Sequence, residues 1–219
     1  MEQKHAKFER LLARCRELAP APTAVAHPCD ESSLRGAVKA AEKGIIQPIL
    51  VGPRSKIESV AREFGLDIAP YEIVDADHSH SAAERAVQLV HEGRAELLMK
   101  GSLHTDELMA AIVRSGTGLR TNRRISHCFI MDVPNLDRAI FVTDAAINIF
   151  PTMEDKMHII QNAIDLAHSL GMEKPKVAIL SAMETINPKL QSTIEAGALC
   201  KMADRGQITG GVLDGPLAL

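Results

Sequence analysis

The sequence contains few aromatic residues and no tryptophan. Aromatic side chains make up 3% of the 219 residues, and there is a single tyrosine. A stacking surface for the bases of a nucleic acid is therefore not expected. The formal net charge of -3 gives no electrostatic reason to bind nucleic acid or an anionic membrane. Composition thus argues against both classes of partner.

Paired cysteines and long apolar runs are also missing. No two cysteines have the CxxC spacing of a zinc or redox site, so we expect reduced thiols in a cytoplasmic protein. The N-terminal segment is charged and amphipathic and lacks the apolar region of a signal peptide. No apolar run reaches the roughly 18 residues that a membrane helix requires. The four cysteines are Cys15, Cys29, Cys128 and Cys200.

Several catalytic motifs are absent as well. The chain has no G-x-S-x-G elbow, no G-x-G-x-x-G after a strand and no Walker motif. Its histidines do not have the spacing of metal ligands on a helix, and we predict no metal site. His27 ends an apolar run in "TAVAHPCD". It either lines a cleft or has a structural role, and the structural role is the more common one.

The first 115 residues alternate between strand and helix patterns four times. The predicted strands are the apolar segments "TAVAH", "PILVG", "YEIVDA" and "ELLMKG". Asp30 is a suitable N-cap for the first intervening helix, and Ser81 with Glu84 has capping-box spacing in a later one. Such alternation predicts a parallel sheet with helices on both faces, which is a three-layer α/β/α architecture.

The pattern changes after residue 116. "ISHCFIMDVP" and "RAIFVTDAAI" leave no room for a helix between them and predict a hairpin. Thr152 and Asp155 then open a helix, "KVAIL" predicts a strand, and residues 188–203 a helix before a last strand, "GGVLDG". We expect two domains, residues 1–125 and 126–219, the first incomplete without a returning C-terminal segment.

The stretch "MKGSLHT" lies where a buried strand passes into a helix. It supplies a cation, a glycine that lets the backbone approach a ligand closely, two hydroxyls and an imidazole, from Lys100, Gly101, Ser102, Thr105 and His104. Carboxyl ends of parallel strands and helix N-termini are where α/β proteins hold anions such as phosphate. The alternative is a plain glycine turn followed by a threonine cap, with the charged groups in solvent.

Three further places have candidate binding residues. Arg120 in "GLRTNRR" offers a phosphate-binding guanidinium, the alternative being a solvated basic loop. Thr143, Asp144 and Asn148 in "FVTDAAIN" follow an apolar strand, where an Asx turn is the other interpretation. Asp214 in "VLDGPLAL" ends another apolar run and either orients a ligand or caps a helix.

Taken together, five segments resemble the phosphate acetyl/butyryltransferase family. They are "ELLMKGSLHTDEL", "GLRTNRRISH", "FVTDAAINI", "KVAILSAMETINPKLQST" and "MADRGQITGGVLDGPLA". The likeness is greatest to the phosphate acetyltransferase part of bifunctional enoyl-CoA hydratase/phosphate acetyltransferase proteins, and it extends over nearly the whole chain.

The resemblance implies acyl transfer between coenzyme A and inorganic phosphate, made directly in a ternary complex. It implies two α/β domains around a cleft, as in isocitrate and isopropylmalate dehydrogenases, and a homodimer. Acyl-CoA and phosphate are then substrates, with no tightly bound cofactor. Lys100, Ser102 and Asp144 are the expected catalytic residues. Substrate binding is expected from Gly101, His104, Thr105, Arg120, Thr143, Asn148 and Asp214.

Family members continue beyond the point that matches the end of this sequence, and that part contains a Ser-Arg motif and an aspartate associated with catalysis. We therefore expect a C-terminally truncated form of the fold. The alternative function is a catalytically incomplete fragment that binds anions or a partner without turnover. A decarboxylating dehydrogenase of related fold is disfavoured, because no convincing set of paired aspartates for a divalent metal is present.

Overall fold

The computed structural model describes residues 6–218. The chain divides into two compact units, residues 1–121 and residues 122–219. This division falls at 121/122, whereas the sequence pattern predicted a boundary at 125/126. We describe each unit separately.

Unit 1 alternates helices and strands throughout its length. Its elements are α1 (Ala6–Cys15), β1 (Ala21–Ala26), α2 (Glu31–Glu42), β2 (Ile46–Gly52), α3 (Arg54–Glu63), β3 (Glu72–Asp75), α4 (Ser79–His91), β4 (Leu97–Lys100) and α5 (Thr105–Ile112). The four strands form one parallel sheet in the order β3-β2-β1-β4. The predicted parallel α/β arrangement is confirmed for this unit.

The strand order places a topological switch point between β1 and β4. The chain moves outward from β1 through β2 to β3, and then returns to place β4 on the other side of β1. Open α/β sheets bind ligands outside the carboxyl ends of the strands at such a point, because the connecting loops there diverge and leave a crevice.

Helices cover both faces of this sheet. Alternate strand residues point to opposite faces, as the period of two requires. Val25 and Leu50 pack with α2 and α3 through Leu34 and Ile57. The opposite face packs against α4 and α5 through a second buried cluster, which includes Ala24, Ala26, Ile49, Val51, Ala82, Ala86, Leu89 and Leu108.

Two of the helices of unit 1 begin at side-chain caps. The Oδ1 atom of Asp30 accepts a hydrogen bond from the backbone N–H of Ser33 at 2.8 Å, which confirms the predicted N-cap of α2. The prediction for α4 was wrong in register, because its N-cap is His78 and not Ser81. The ring Nδ1 of His78 accepts from the N–H of Ser81, and the hydroxyl of Ser81 accepts from the N–H of His78.

Unit 2 contains an antiparallel hairpin and a small parallel pair. The elements are β5 (Cys128–Met131), β6 (Ile140–Thr143), α6 (Met153–Ser169), β7 (Lys176–Leu180), α7 (Gln191–Asp204) and β8 (Val212–Leu217). β5 pairs with β6 as predicted, and β7 pairs with β8 in parallel. Ile160, Ile164, Leu199 and Ile208 form its buried core.

One predicted helix of unit 2 begins later than its sequence suggested. The segment from Pro188 was expected to be helical, but α7 starts at Gln191. The hydroxyl of Thr193 donates to backbone carbonyls in the preceding turn, including that of Leu190 at 2.8 Å, and accepts from the N–H of Asn187 at 2.9 Å. These bonds stabilise a turn before the helix, which local hydroxyl groups commonly do.

Within residues 6–218, no helix is both long enough and apolar enough to cross a membrane. The four cysteines are all free thiols.

Candidate functional site

The switch point of unit 1 brings together the ends of β1 and β4. Ala26 and Lys100 are register partners on these two parallel strands. The chain segments that follow them, beginning at His27 and at Gly101, therefore lie side by side. We call the group formed by His27, Cys29, Lys100, Gly101 and Ser102 the β1/β4 crevice.

Backbone hydrogen bonds hold the two sides of the crevice at close range. The N–H of Gly101 donates to the carbonyl of Ala26 at 2.8 Å, and the N–H of Ser102 donates to the carbonyl of His27 at 2.9 Å. A Cβ atom at Gly101 would lie 2.4 Å from the Ala26 oxygen and 2.5 Å from the His27 oxygen. The approach of the two chain segments therefore requires glycine. The close approach to a ligand that the sequence predicted for Gly101 stays a prediction.

His27 has an unusual backbone and a definite side-chain partner. Its φ is 55°, in the left-handed region that residues other than glycine seldom adopt. The ring Nδ1 lies 3.0 Å from the hydroxyl of Ser102. That hydroxyl is also 2.8 Å from the His27 carbonyl and 3.3 Å from the backbone nitrogen of Cys29. All three potential bonds of the Ser102 hydroxyl are therefore made within the crevice.

Neighbouring charges act on the titratable groups of the crevice. Burial and the ammonium of Lys56 lower the pKa of His27 from its ordinary value, against the opposite effect of Glu107 and Asp30. Burial raises the pKa of the Cys29 thiol to about 11. At neutral pH the imidazole is thus mainly uncharged and the thiol is protonated, so Cys29 is a poor nucleophile.

Lys100 supplies positive charge at the mouth of the crevice. Its side chain is exposed, and its ammonium lies 3.3 Å from the carbonyl of Gly101. Lys56, on α3, is also exposed. Lys56 acts on the crevice electrostatically, since it lowers the pKa of His27, and Lys100 contributes to the lowered pKa of the neighbouring Asp30.

The N-terminus of α5 is already paired with a carboxylate of its own. His104 is the N-cap and Thr105 the first helical residue. Glu107 accepts from the N–H of His104 at 3.0 Å and from the hydroxyl of Ser79 at 2.9 Å. Burial raises the pKa of Glu107, but these bonds and the nearby His80 give a net lowering. One of the N–H groups expected to bind an anion is therefore occupied.

The three arginines that follow α5 differ in their contacts. Arg120 is exposed, and within residues 6–218 it makes no ion pair. Arg123 pairs with Asp165 at 3.0 Å, and the Nε of Arg124 donates to the side-chain oxygen of Asn148 at 2.8 Å. Arg120 is in unit 1 and retains its donors for a ligand, whereas the other two are engaged within unit 2.

The loop after β6 is organised around Asp144. Its carboxylate accepts from the backbone N–H groups of Ala146 at 2.9 Å, Ile147 at 3.0 Å and Asn148 at 3.2 Å, and from the side-chain amide of Asn148. Burial raises the pKa of Asp144, but these hydrogen bonds have the larger effect, so the pKa is lowered overall. Thr143 donates its hydroxyl to the His127 carbonyl at 2.8 Å.

Asp214 does not end its strand, contrary to the sequence interpretation. It is the third of six residues in β8, in register with Ala178 of β7. Its side chain is exposed, and its Oδ1 accepts from the N–H of Gly215 at 2.9 Å. The strand continues because Pro216 is buried and the carbonyl of Leu217 accepts from the N–H of Ser181 at 2.8 Å.

The structure therefore places Lys100, Gly101 and Ser102 together in unit 1, and His104 and Thr105 follow them as the N-cap and first residue of α5. Thr143, Asp144 and Asn148 form a separate loop in unit 2. Sequence reasoning missed the pairing of His27 with Ser102 and the effect of Lys56. The position of His27 at a strand end was a signal, but its partner depends on the pairing of β1 with β4.

No group of three or more His, Cys, Asp or Glu side chains is arranged to hold a metal ion in the described part of the chain. A surface cavity of about 430 Å³ in unit 1 is lined by Pro53, Arg54, Ser55, Glu58, Asp75 and Asp77. It contains no residue of the β1/β4 crevice. Its Asp75 already accepts from the N–H of Arg54 at 2.8 Å.

Comparison with known proteins gives a consistent result. The family model described as "Phosphate acetyl/butaryl transferase" matches residues 79–219. A phosphate acetyltransferase of Rhizobium meliloti is 64% identical over 97% of this chain and 67% of its own length. A phosphate butyryltransferase of Clostridium beijerinckii is 42% identical over 97% of this chain and 70% of its own length.

A solved structure is similar as well. The branched-chain phosphotransacylase from Enterococcus faecalis V583 superposes with a TM-score of 0.74 and 28% identity, over 90% of this chain and 68% of that one. The chain spans 60–67% of the length of its relatives from Rhizobium and Rickettsia. The family match over most of the chain and the identity to these relatives show that the chain belongs to the phosphate acetyl/butaryl transferase family.

Proposed function

We propose that this chain transfers an acetyl or other short acyl group between coenzyme A and inorganic phosphate. The substrates are acyl-CoA and phosphate in one direction, and acyl phosphate and coenzyme A in the other. Membership of the family and the names of the relatives support the reaction class. The observation that supports a site in this chain is the β1/β4 crevice, where a lysine, a close glycine and a histidine–serine pair meet at a switch point.

The proposed chemistry requires a phosphate held near a carbonyl carbon. Lys100 is exposed at the mouth of the crevice and offers positive charge for phosphate oxygens. Gly101 lets the end of β4 lie close to the end of β1. Ser102 orders the crevice through its bonds to His27, and Arg120 has its donors available. We propose direct transfer in a ternary complex, in which binding both substrates side by side supplies much of the rate enhancement.

Roles in unit 2 follow from the loop after β6. The lone pairs of Asp144 are largely used by three backbone N–H groups and by Asn148. We propose that this carboxylate contributes to catalysis by holding the loop and its negative charge in place. Thr143 and Asn148 then bind substrate through the groups that this loop presents, and Asp214 does so from the exposed side of β8.

We further propose that the protein is a homodimer of isocitrate dehydrogenase-like fold in the cytoplasm. Exposed apolar side chains on the β5–β6 hairpin support self-association, because a monomer rarely leaves such a surface in water. Phe129 is 51% exposed, Met131 43% and Val142 46%. Four free thiols are compatible with a reducing compartment.

A second candidate function is anion binding without turnover. The observation that favours it is that Ser102 and Asp144, two of the expected catalytic groups, are already saturated with internal hydrogen bonds. Phosphate would then bind at Lys100 without release of coenzyme A.

The test is release of free thiol from acetyl-CoA and butyryl-CoA by the purified chain, with and without phosphate. Phosphate-dependent release supports the transferase, and phosphate binding without release supports the second function. A Lys100→Met variant should require more phosphate for half-maximal rate. The matched control is Lys39→Met, since Lys39 is an exposed lysine on α2 outside the crevice. Equal phosphate dependence in both variants would remove Lys100 from the site.

A further inference from the structure

We propose that Lys56 binds phosphate groups in the nucleotide half of coenzyme A, at a subsite beside the β1/β4 crevice. The inference rests on the proposed function and deepens it, because it assigns a residue to the half of the substrate that does not react. Coenzyme A contains a diphosphate and a ribose 3′-phosphate at the end opposite its thiol. Positive charge at some distance from the reacting sulfur therefore adds affinity for this substrate.

The register of the strands determines which loops meet at the carboxyl edge of the sheet. Ala26 of β1 is the partner of Lys100 on β4, and Gly52 of β2 is the partner of Asp75 on β3. The chain enters α3 shortly after Gly52, and Lys56 is the third residue of that helix. Along this edge, in the order β4-β1-β2-β3, Lys100 therefore belongs to the first strand, Lys56 follows the third and Asp75 ends the fourth.

The end of β2 lies against the segment that follows β1. The N–H of His27 donates to the carbonyl of Val51 at 2.7 Å. A Cβ atom at Gly52 would lie 3.4 Å from the Cα of His27 and 3.7 Å from the Sγ of Cys29. Burial lowers the pKa of His27 and Lys56 lowers it further, while burial raises the pKa of Cys29 and Lys56 opposes that rise. The ammonium of Lys56 thus extends the positive charge of the crevice towards β2.

Lys56 is available to a ligand. Its side chain is exposed, and within the described residues it makes no ion pair. The carboxylate of Asp30, on the β1 side, accepts a backbone N–H of its own helix at 2.8 Å. The other cation in the first turn of α3 is engaged, since Arg54 donates to the carbonyl of Ile73 at 2.8 Å and pairs with Glu58 at 3.7 Å. Lys56 therefore retains its donors, whereas Arg54 does not.

The acidic end of the edge limits where an anion can lie. Asp75 and Asp77 line the surface cavity of about 430 Å³ together with Glu58. An anion is repelled by these carboxylates. A substrate whose thiol or acyl end lies at Lys100 can therefore place its phosphates at Lys56, but not further along the edge.

The spacing of the two lysines suits one extended ligand. Neighbouring strands are about 4.8 Å apart, so the ends of β4 and β2, with β1 between them, are about 10 Å apart. The pantetheine arm of coenzyme A is a flexible chain that covers this distance between its thiol and its diphosphate. A single inorganic phosphate is too small to occupy both places. Lys56 should therefore act on coenzyme A, and Lys100 on phosphate.

The test compares thiols with and without the nucleotide. Acetyl phosphate supplies the acyl group, and coenzyme A, dephospho-coenzyme A and pantetheine are the acceptors. Pantetheine has the same thiol and arm but no phosphate. Lys56→Met should raise the KM for coenzyme A about fivefold, the effect of one exposed ion pair. The KM for pantetheine, the KM for acetyl phosphate and kcat at saturating coenzyme A should not change.

Two further variants are the controls. Lys56→Arg keeps the positive charge and should hold the KM for coenzyme A within about twofold of the parent value. Lys39→Met removes another exposed lysine, in the last turn of α2, and should have no effect. Because α2 begins at the carboxyl end of β1 and runs back along the sheet, its last turn lies towards the opposite edge.

Dephospho-coenzyme A identifies the phosphate that Lys56 contacts. If Lys56→Met has no effect with this acceptor, the contact is the 3′-phosphate, and if the effect persists, the contact is the diphosphate. Both results support the inference. An equal rise of KM for coenzyme A and pantetheine overturns it, because Lys56 would then act through His27 or through the fold. No rise for either thiol also overturns it.

A direct binding measurement separates this inference from the proposed function. Calorimetric titration of the chain with coenzyme A needs no turnover. If the parent chain forms no acetyl-CoA but binds coenzyme A more tightly than Lys56→Met does, the transferase is refuted and the subsite stands. If the parent chain transfers acetyl groups and Lys56→Met binds coenzyme A as tightly as Lys39→Met, the subsite is refuted and the function stands. A folded parent chain that neither binds coenzyme A nor forms acetyl-CoA refutes both.

Discussion

Replacing Gly101 with alanine should destabilise unit 1 more than its single added methyl group suggests. Gly101 is buried between the ends of β1 and β4. The added Cβ would lie 2.4 Å from the oxygen of Ala26, 2.5 Å from the oxygen of His27 and 2.6 Å from its carbonyl carbon. These are backbone atoms at the end of a central strand and of the residue that follows it, so no side chain can rotate to make room.

The size of the effect follows from the hydrogen bonds that share this space. Relaxing a 2.4 Å contact to the 3.4 Å of an ordinary contact moves the two segments apart by about 1 Å. The bonds from Gly101 to Ala26, at 2.8 Å, and from Ser102 to His27, at 2.9 Å, would then be lost. At about 1 kcal/mol for each of the two bonds, plus about 1–3 kcal/mol for an unpaired buried group, the loss is about 3–5 kcal/mol.

Urea unfolding followed by tyrosine fluorescence measures this change selectively. The chain has one tyrosine and no tryptophan, and Tyr71 packs against the buried cluster of unit 1 formed by Val25, Leu50 and their neighbours. Its signal therefore reports the unfolding of unit 1. The matched control is Gly36→Ala in the interior of α2, where the new Cβ meets only the terminal methyl of Met99 at 3.4 Å.

The two substitutions should have opposite signs. Gly36→Ala should stabilise unit 1 by about 0.5–1 kcal/mol, because alanine loses less backbone entropy in a helix. Gly101→Ala should lower the midpoint and also abolish thiol release. If Gly101→Ala leaves the midpoint and the rate unchanged, the close approach of β1 and β4 that defines the crevice is refuted.

The remaining predictions concern a cap, two arginines and a loop. Asp30→Ala should cost about 1 kcal/mol at pH 7 in the Tyr71 assay. The bonds from Ser33 lower the pKa of Asp30. The stabilisation of unit 1 by this cap is therefore present above the ordinary carboxyl pKa and is lost as the pH falls through the lowered pKa of Asp30. An equal loss of stability on substitution at pH 2 would contradict the cap. Arg120→Ala should raise the phosphate or coenzyme A concentration needed for half-maximal rate without changing stability. Arg124→Ala should instead destabilise unit 2 by about 1 kcal/mol, because it loses the bond to Asn148. Identical effects of the two substitutions would refute the assignment of Arg120 to ligand binding and of Arg124 to structure. Asp144→Ala should leave the backbone N–H groups of residues 146–148 without their acceptor, so hydrogen exchange of those amides should accelerate, and unchanged protection would show that the carboxylate does not hold the loop.

Much of the fold of unit 1 could be predicted because its pattern is local. Short apolar strands alternate with amphipathic helices, and the Asp30 cap lies next to the helix that it begins. The strand order β3-β2-β1-β4 could not be predicted, since it depends on which strands pair across long stretches of sequence. The cap of α4 was misplaced because a histidine ring at position 78 accepts the bond that a serine was expected to accept.

The candidate site likewise combines features that are local in the sequence with one that depends on long-range strand pairing. Lys100, Gly101 and Ser102 could be grouped as candidates because they are adjacent in sequence at a strand end. The partner of Ser102 lies 75 residues earlier, and only the β1–β4 register brings His27 to it. Asp214 was misjudged because an apolar run followed by Asp-Gly suggests a strand end, while the strand continues through the buried Pro216.

The most direct test of the central claim is ³¹P NMR of the purified chain with acetyl-CoA and inorganic phosphate, measured alongside free thiol. The proposed function predicts that an acetyl phosphate resonance grows in step with the thiol, and that neither product forms when phosphate is omitted. Thiol release that does not depend on phosphate and yields acetate, or a folded chain that binds phosphate and forms no acetyl phosphate, would contradict it.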